Sequence, residues 1–290
     1  MVLGYLTHHA SPCGEFLNPK ISCNPSQEQI VFSRDLRKKV DAKVREVQAT
    51  DRAQTVAVYF QMLNKDQWFS VNASQLYQPA SIAKVPLMMW FIGLAETDPS
   101  ILDQSLDYKE GSVKLTPHFD YGGIEHGKTY SVSDLIESMI VNSDNNAAYA
   151  LASRLTPEQQ TSMFADFDFR APRGTSTEYR NDVKTIAASY RLLYDATYLT
   201  PEDSEKALEL LSRTKFNAGL NAGIPDDVRA AHKFGERETT SGAWQIHDCG
   251  IIYAKNNPYI LCVMTRGKDP DVLAGVIADI SKLVYTEVTT

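Results

Sequence analysis

Leu36, Val40, Val44 and Val47 recur at helical spacing and predict a first amphipathic helix. Thr55 to Leu63 and Gln67 to Asn72 then read as two strands, joined by a turn at Asn64, Lys65 and Asp66. The apolar run Val85 to Ala95 predicts a buried helix and is well short of the roughly 20 residues a membrane helix needs. Ser131-Val-Ser-Asp predicts the start of a helix through Ile140, and Ala147 to Leu155 predicts another. Ile186, Tyr190, Leu193 and Tyr194 mark a further helix, and Thr200-Pro201-Glu202-Asp203 a later helix start with proline at its first position. Ala231 to Glu238, Gln245 to Ala254 and Tyr259 to Arg266 are rich in β-formers, with Asn256-Asn257-Pro258 as a turn between the last two. A closing helix follows Asp269-Pro270, with Leu273, Val276, Ile277, Ile280, Leu283 and Val284 on one face.

Strands at both ends around a helical middle imply an α+β fold. One antiparallel sheet is built from both termini and flanked by the terminal helices, and a helical lobe over about residues 73–215 is inserted between its halves. Residues 1–30 read as a tail and 31–290 as one domain; a cleft between the lobes is the natural place for a site. Composition agrees with a folded protein, at 43% hydrophobic and 22% charged. The net charge of −7, with no basic run, argues against nucleic acid or an anionic membrane surface as partner. The first residues lack the basic and long apolar regions of a signal peptide, which fits a cytosolic protein or a trimmed form of an exported one. Cys13 and Cys23, in a short polar segment, are either a disulfide or two unpaired thiols. Cys249 and Cys262 fall in apolar strands and are expected as buried small hydrophobes.

Three short motifs carry candidate chemistry. Ser81-Ile82-Ala83-Lys84 opens the buried helix, where positions i and i+3 share a face and Lys84 can reach the Ser81 hydroxyl. A serine needs a base, and a lysine becomes one when desolvation or nearby positive charge lowers its pKa. The motif alone is weak: Ser212-Arg213-Thr214-Lys215 repeats it at the end of a polar helix and is expected at the surface. Ser143-Asp144-Asn145 falls at a break between helices, where a plain N-cap would also explain it. His232-Lys233-Phe234-Gly235 begins a late strand, where a solvated edge lysine beside a strand glycine is the plainer explanation.

In this order, Ser-x-x-Lys, Ser-Asp-Asn and Lys-x-Gly resemble the penicillin-recognising serine hydrolases, and among them the class A β-lactamases. The resemblance spans about 260 residues and includes Gly127-Lys-Thr-Tyr-Ser-Val-Ser-Asp-Leu-Ile ahead of the second motif. It implies Ser81 as the acylated nucleophile, Lys84 as its base or proton relay, and Ser143 as donor to the departing nitrogen. Asn145 would hold the substrate amide and the Lys84 amine. Lys233 would attract a substrate carboxylate and help keep Lys84 neutral, beside Gly235. The N–H groups of Ser81 and Glu236 would form the oxyanion hole. No cofactor or metal is implied. The substrate would be a β-lactam or a D-Ala-D-Ala-like peptide, met by a monomer outside the cytoplasm.

Two departures from the family pattern stand out. Phe234 replaces the family's Thr or Ser, removing a hydroxyl for the substrate carboxylate at about 1.5–3 kcal/mol. The loop Glu-x-x-x-Asn that activates the deacylating water is missing. Over Phe164 to Asp182 the only glutamate is Glu178, at the wrong spacing and explained by the helix that follows, and Asp166 and Asp168 are no better placed. The expectation is an acyl-enzyme that forms and hydrolyses slowly. A cell-wall D,D-peptidase, and a non-catalytic domain binding cell-wall fragments, are the alternatives. His232 reads as an ordinary strand-edge histidine and Tyr121 as a loop-packing residue, with tuning of the site's charge and an aromatic wall as their functional readings.

Overall fold

The computed structural model describes residues 27–65, 67–108, 117–170 and 179–290. Cys13, Cys23 and Glu178 lie outside them. In chain order come α1 (Gln27–Ala49), β1 (Thr55–Met62), β2 (Trp68–Val71), a 3-10 turn (Ala80–Ala83), α2 (Lys84–Thr97), α3 (Ser100–Asp103), β3 (Ser105–Asp107) and β4 (Thr129–Ser131). Then follow α4 (Val132–Val141), α5 (Asn145–Ala152), α6 (Pro157–Asp166), α7 (Val183–Tyr194), α8 (Pro201–Ser212), β5 (Ala230–Glu238), β6 (Trp244–Ile252), β7 (Tyr259–Gly267) and α9 (Pro270–Thr289). The short β3–β4 pair carried no sequence signal, since three residues are too few to show a period.

The main sheet is antiparallel throughout, in the order β2-β1-β7-β6-β5. Strands from the two ends of the chain meet at β1 and β7, as the α+β reading predicted. Alternation along each strand separates two cores. Val56, Val58 and Phe60 of β1, with Leu261 and Val263 of β7, pack under α1 and α9 through Leu36, Val40, Val44, Leu273, Ile277 and Ile280. Ala57, Ile260, Cys262 and Met264 face the other way, onto α2, α4, α7 and α8. The helix starts follow side-chain chemistry. Ser131 caps α4 in a capping box with Asp134, Thr200 caps α8 ahead of Pro201, and Asp269 caps α9.

One expectation changes here. Cys249 and Cys262 are buried, as predicted, but they are joined as a cross-strand disulfide rather than standing as free hydrophobes. Their residues pair directly across β6 and β7, and the same rung continues from Cys249 to Lys233 on β5. Periodicity identifies such positions as buried but says nothing of which cysteines face each other.

Candidate active site

The Ser81 turn is held from several sides. Its preceding residue, Ala80, sits at φ 49°, a left-handed conformation costly for a residue with a Cβ. Gln78, three residues before Ser81, is tied to the sheet at both backbone atoms. Its N–H donates to Gln245 Oε1 at 3.1 Å, and its carbonyl accepts from His247 Nε2 at 3.0 Å. His247 Nδ1 in turn accepts from the Thr265 N–H at 3.2 Å, so the ring carries its proton on Nε2. Burial lowers the His247 pKa to about 3, which keeps the ring neutral in this bridge. Neither Gln245 nor His247 was singled out from the sequence, where they are ordinary members of a β run. On the other side, β5 runs against the turn. A Cβ on Gly235 would lie 2.8 Å from the Pro79 carbonyl oxygen and 3.0 Å from the Ser81 nitrogen. Glycine here lets the strand backbone touch the backbone of the Ser81 turn.

The structure brings the three motifs together. Lys84, the first residue of α2, is buried, and its Nζ donates to the Ser143 carbonyl at 2.5 Å and to Asn145 Oδ1 at 2.8 Å. Ser143 Oγ lies 3.4 Å from Lys84 Nζ and accepts from Lys233 Nζ at 2.7 Å. One hydroxyl therefore stands between two lysines. Burial lowers the Lys84 pKa from 10.5 to about 7, against the upward pull of Asp144 and Glu236. Lys233, fully buried, is pushed well below its usual range by desolvation first and by Lys84 second. The like-charge effect expected to act on Lys84 thus falls on Lys233, while desolvation lowers Lys84. The solvated-edge reading of Lys233 is overturned as well: β5 is an edge strand, but the Ser81 turn packs on it.

A cavity of about 670 Å³ opens in front of these groups, lined by Ser81, Ser143, Asn145, Tyr121, Glu236 and Trp244 among others. Its side wall is the 117–124 segment, fixed by Asp144. That carboxylate caps α5 by accepting from the Asn146 N–H at 2.8 Å, and it also accepts from the Ile124 N–H at 2.8 Å and from Ser138 Oγ at 3.0 Å. The N-cap reading of this motif is correct for Asp144, while its neighbours Ser143 and Asn145 face the lysines. Ser143, like Ala80, has positive φ, at 58°.

Phe234 does not point into the cleft. Strand alternation sends it to the α1/α9 side, where it stacks on Phe216 with centroids 4.1 Å apart and meets Phe119 and Tyr121 edge-on at 6.1 Å. Tyr121 therefore both packs the loop and lines the cavity. The Phe119 N–H donates to the Glu236 carboxylate at 3.2 Å, and burial raises the Glu236 pKa. His232 is likewise buried, not at a wet edge: its Nδ1 lies 2.8 Å from Asp248 Oδ1, and Asp248 also accepts from the Leu220 N–H.

A second cavity, of about 330 Å³, lies behind Lys84 and shares Asn145 with the cleft. Its described walls include Leu87, Ala148, Leu155, Met163, Phe164 and Phe169, and none of its described lining residues is a carboxylate. Asp166 and Asp168 are exposed and line neither cavity. Arg170 and Asp182 form an ion pair at 3.6 Å across the two ends of the segment between them. The second Ser-x-x-Lys lines neither cavity and its Lys215 is exposed, as expected, although Thr214 is buried and the Lys215 N–H donates to the Val141 carbonyl at 3.1 Å, two residues before Ser143. Among the described residues no cluster of three or more His, Cys, Asp or Glu is placed to hold a metal, and no helix is long and apolar enough to cross a membrane.

Comparison with known proteins gives a consistent picture. A sequence profile described as the beta-lactamase enzyme family matches residues 37–288. No curated protein sequence matches. Among solved structures, a mutant of PBP-A captured as an acyl-enzyme with penicillin G superposes with a TM-score of 0.72 at 20% identity, covering 87% of this chain and 96% of that one. A beta-lactamase from Sphaerobacter thermophilus gives 0.71 at 18% identity, covering 86% and 95%. The TLA-1 extended-spectrum beta-lactamase gives 0.73 at 16% identity, covering 87% and 99%. At these identities the structural likeness shows the fold.

Proposed function

Since this chain belongs to the beta-lactamase enzyme family, we propose that it is an active-site serine hydrolase that is acylated on Ser81 by β-lactams and releases the acyl group slowly. The observation that carries this reading is the Ser143 hydroxyl set between two buried lysines beside the Ser81 turn.

A neutral lysine amine has two N–H bonds and one lone pair. The Ser143 carbonyl and Asn145 Oδ1 take the two N–H bonds of Lys84, and the remaining lone pair would accept the Ser81 hydroxyl proton on substrate attack. With its pKa near 7, about half of Lys84 is neutral at neutral pH. Ser81 Oγ attacks the lactam carbonyl as its proton passes to Lys84, and the N–H groups of Ser81 and Glu236 receive the oxyanion. The C–N bond then breaks. Ser143 gives its proton to the departing nitrogen and is reprotonated from the lysines, leaving an ester on Ser81. Asn145, Gly235 and Lys233 would line the bound substrate, with Lys233 acting chiefly through Ser143 because it is wholly buried.

Hydrolysis of that ester needs a base that positions water. The apolar walls behind Lys84 support slow deacylation, and they favour as second reading a D,D-peptidase or penicillin-binding-type enzyme. The Cys249–Cys262 disulfide supports an oxidising, extracytoplasmic setting.

Intact mass with a penicillin and a chromogenic cephalosporin, followed alongside ring opening, tests the reading. The expected result is an adduct on Ser81 with a burst of one equivalent and slow turnover after it. Rapid turnover with no adduct would overturn slow deacylation. No adduct and no ring opening, with Ser81→Ala behaving as the parent, would overturn the enzyme reading.

A further inference from the structure

We propose that Glu236 is a specificity-determining residue whose carboxylate makes the cleft reject an anionic group beside the departing nitrogen and favour a cationic one there. The substrates suited to this protein then carry an amide or an amine where penicillins carry a carboxylate, and penicillins are accepted in spite of that group. The inference rests on acylation of Ser81 as proposed above.

Three observations carry it. The first is that Lys233 is closed to a substrate anion. It is wholly buried; its Nζ donates to Ser143 Oγ at 2.7 Å and to the Phe234 carbonyl at 3.1 Å, and lies 4.3 Å from the centre of the Phe234 ring. The second is that the side chain between Lys233 and Gly235 offers no hydroxyl to a carboxylate, since Phe234 is stacked on Phe216 away from the cleft. The third is Glu236 itself. It lies two residues further along the same face of β5, lines the cleft and is half-buried, and its carboxylate is held to the side wall by the Phe119 N–H at 3.2 Å. Its charge is felt at the reacting groups, where it favours the protonated form of both Lys84 and Lys233. A second negative group brought into the same partly desolvated space is repelled by it, and a positive one is attracted.

The other charges of the cleft leave this asymmetry standing. In its described lining Asp120 and Glu238 are exposed, while Asp144 is satisfied by Ile124, Asn146 and Ser138. His118, on the side wall, is engaged by Asp271 at 3.1 Å. Arg237 is the one cation among the described lining residues, and strand alternation sends it to the opposite face from Glu236, toward Tyr179. The rings of Tyr121 and Trp244 line the cleft as well, and aromatic faces attract cations rather than anions. Ser143 would protonate the departing nitrogen and the Glu236 N–H would receive the oxyanion. A substituent on that nitrogen therefore comes to lie against the Glu236 side of the cleft.

The test has two arms, both at about pH 8, where a carboxylate is ionised. In the first, acylation rates are read from burst kinetics for penicillin G, for the primary amide made at its carboxylate, and for the corresponding 2-aminoethyl amide. The rates are expected to rise in that order, with the primary amide about tenfold above the free acid, and Glu236→Gln is expected to bring the three together. A gap below about threefold between acid and primary amide in the parent, or an order unmoved by Glu236→Gln, would overturn the proposal. In the second, Ser81→Ala, which cannot be acylated, is titrated with benzylammonium, benzyl alcohol and benzoate while the Trp244 indole and Tyr121 ring signals are followed by NMR. Affinity is expected to fall in that order and to even out in Glu236→Gln or, if that variant does not fold, in Glu236→Ser. Benzoate binding as tightly as benzylammonium, no saturable shifts, or a preference that persists in the folded charge-free variant would overturn it. Absence of any acylation removes the proposed function but leaves the second arm to decide whether the cleft sorts ligands by charge through Glu236.

Discussion

Lys84 sets how the protein should respond to pH. Its ammonium is destabilised by burial, so the neutral, proton-accepting form grows as pH rises through about 7 rather than through 10.5. The acylation rate of Ser81 is therefore expected to rise about tenfold per pH unit below that value and to level off above it, read from burst kinetics across pH 5 to 9. A flat profile would remove Lys84 as the base. Phe234 gives a second prediction. From the motif alone it looks like a lost substrate contact, yet its ring belongs to a cluster with Phe216, Phe119 and Tyr121 on the far face of β5. Restoring the family's hydroxyl with Phe234→Thr should therefore cost about 3–5 kcal/mol in urea unfolding, and a stable, better-binding variant would contradict the packing role. The replacement was visible in the sequence, but its partners were not. Phe119 and Phe216 are 115 and 18 positions away respectively, and no short pattern joins them.

Elements meet at two tight places, and both are open to test. Where β5 passes the Ser81 turn, Gly235→Ala would set a methyl 2.8 Å from the Pro79 carbonyl and force strand and turn apart. Because a shift of about 1 Å in a reacting group costs about 10²-fold, acylation should fall by about that factor, and urea unfolding should show a loss of about 1–3 kcal/mol from the forced shift. The second place is the side wall. Gly123 lies where a Cβ would meet the Asp144 carboxylate at 2.5 Å, and that carboxylate serves the Ile124 and Asn146 amides and the Ser138 hydroxyl together. Asp144→Ala should cost about 1–3 kcal/mol and speed hydrogen exchange at the Ile124 amide; unchanged exchange would separate the wall from the helix cap. Most helices and the main-sheet strands were legible because their periods and caps are local: Ser131, Thr200 and Asp269 each announce a helix within four residues, whereas α6 was missed although Thr156 caps it in the same way. The contacts that assemble the site are not local. His247 holding Gln78, and Asp144 holding Ile124, are fixed by tertiary approach, so the sequence showed the three motifs but not what positions them.

At the scale of the molecule, the disulfide and the sheet order matter most. Cys249–Cys262 closes a short loop, of sequence separation 13, in the middle of the sheet, on the rung that ends at Lys233. Reduction under native conditions, or paired replacement by Ala and Val, should lower stability by about 3 kcal/mol, checked by urea unfolding with and without reductant; thiol labelling mapped to Cys249 and Cys262 in the unreduced, unfolded protein would show the bond absent. Sheet order adds a consequence in time. β1 reaches its full pairing only when β7 arrives, with Thr55 opposite Arg266, and the second of the two lysines at Ser143 comes from residue 233. Residue 81 leaves the ribosome long before either, while chains are made at about 5–20 residues per second. Half-made chains therefore carry Ser81 without its surroundings, and the reactivity proposed for it would be switched on late, by the completion of the last three strands.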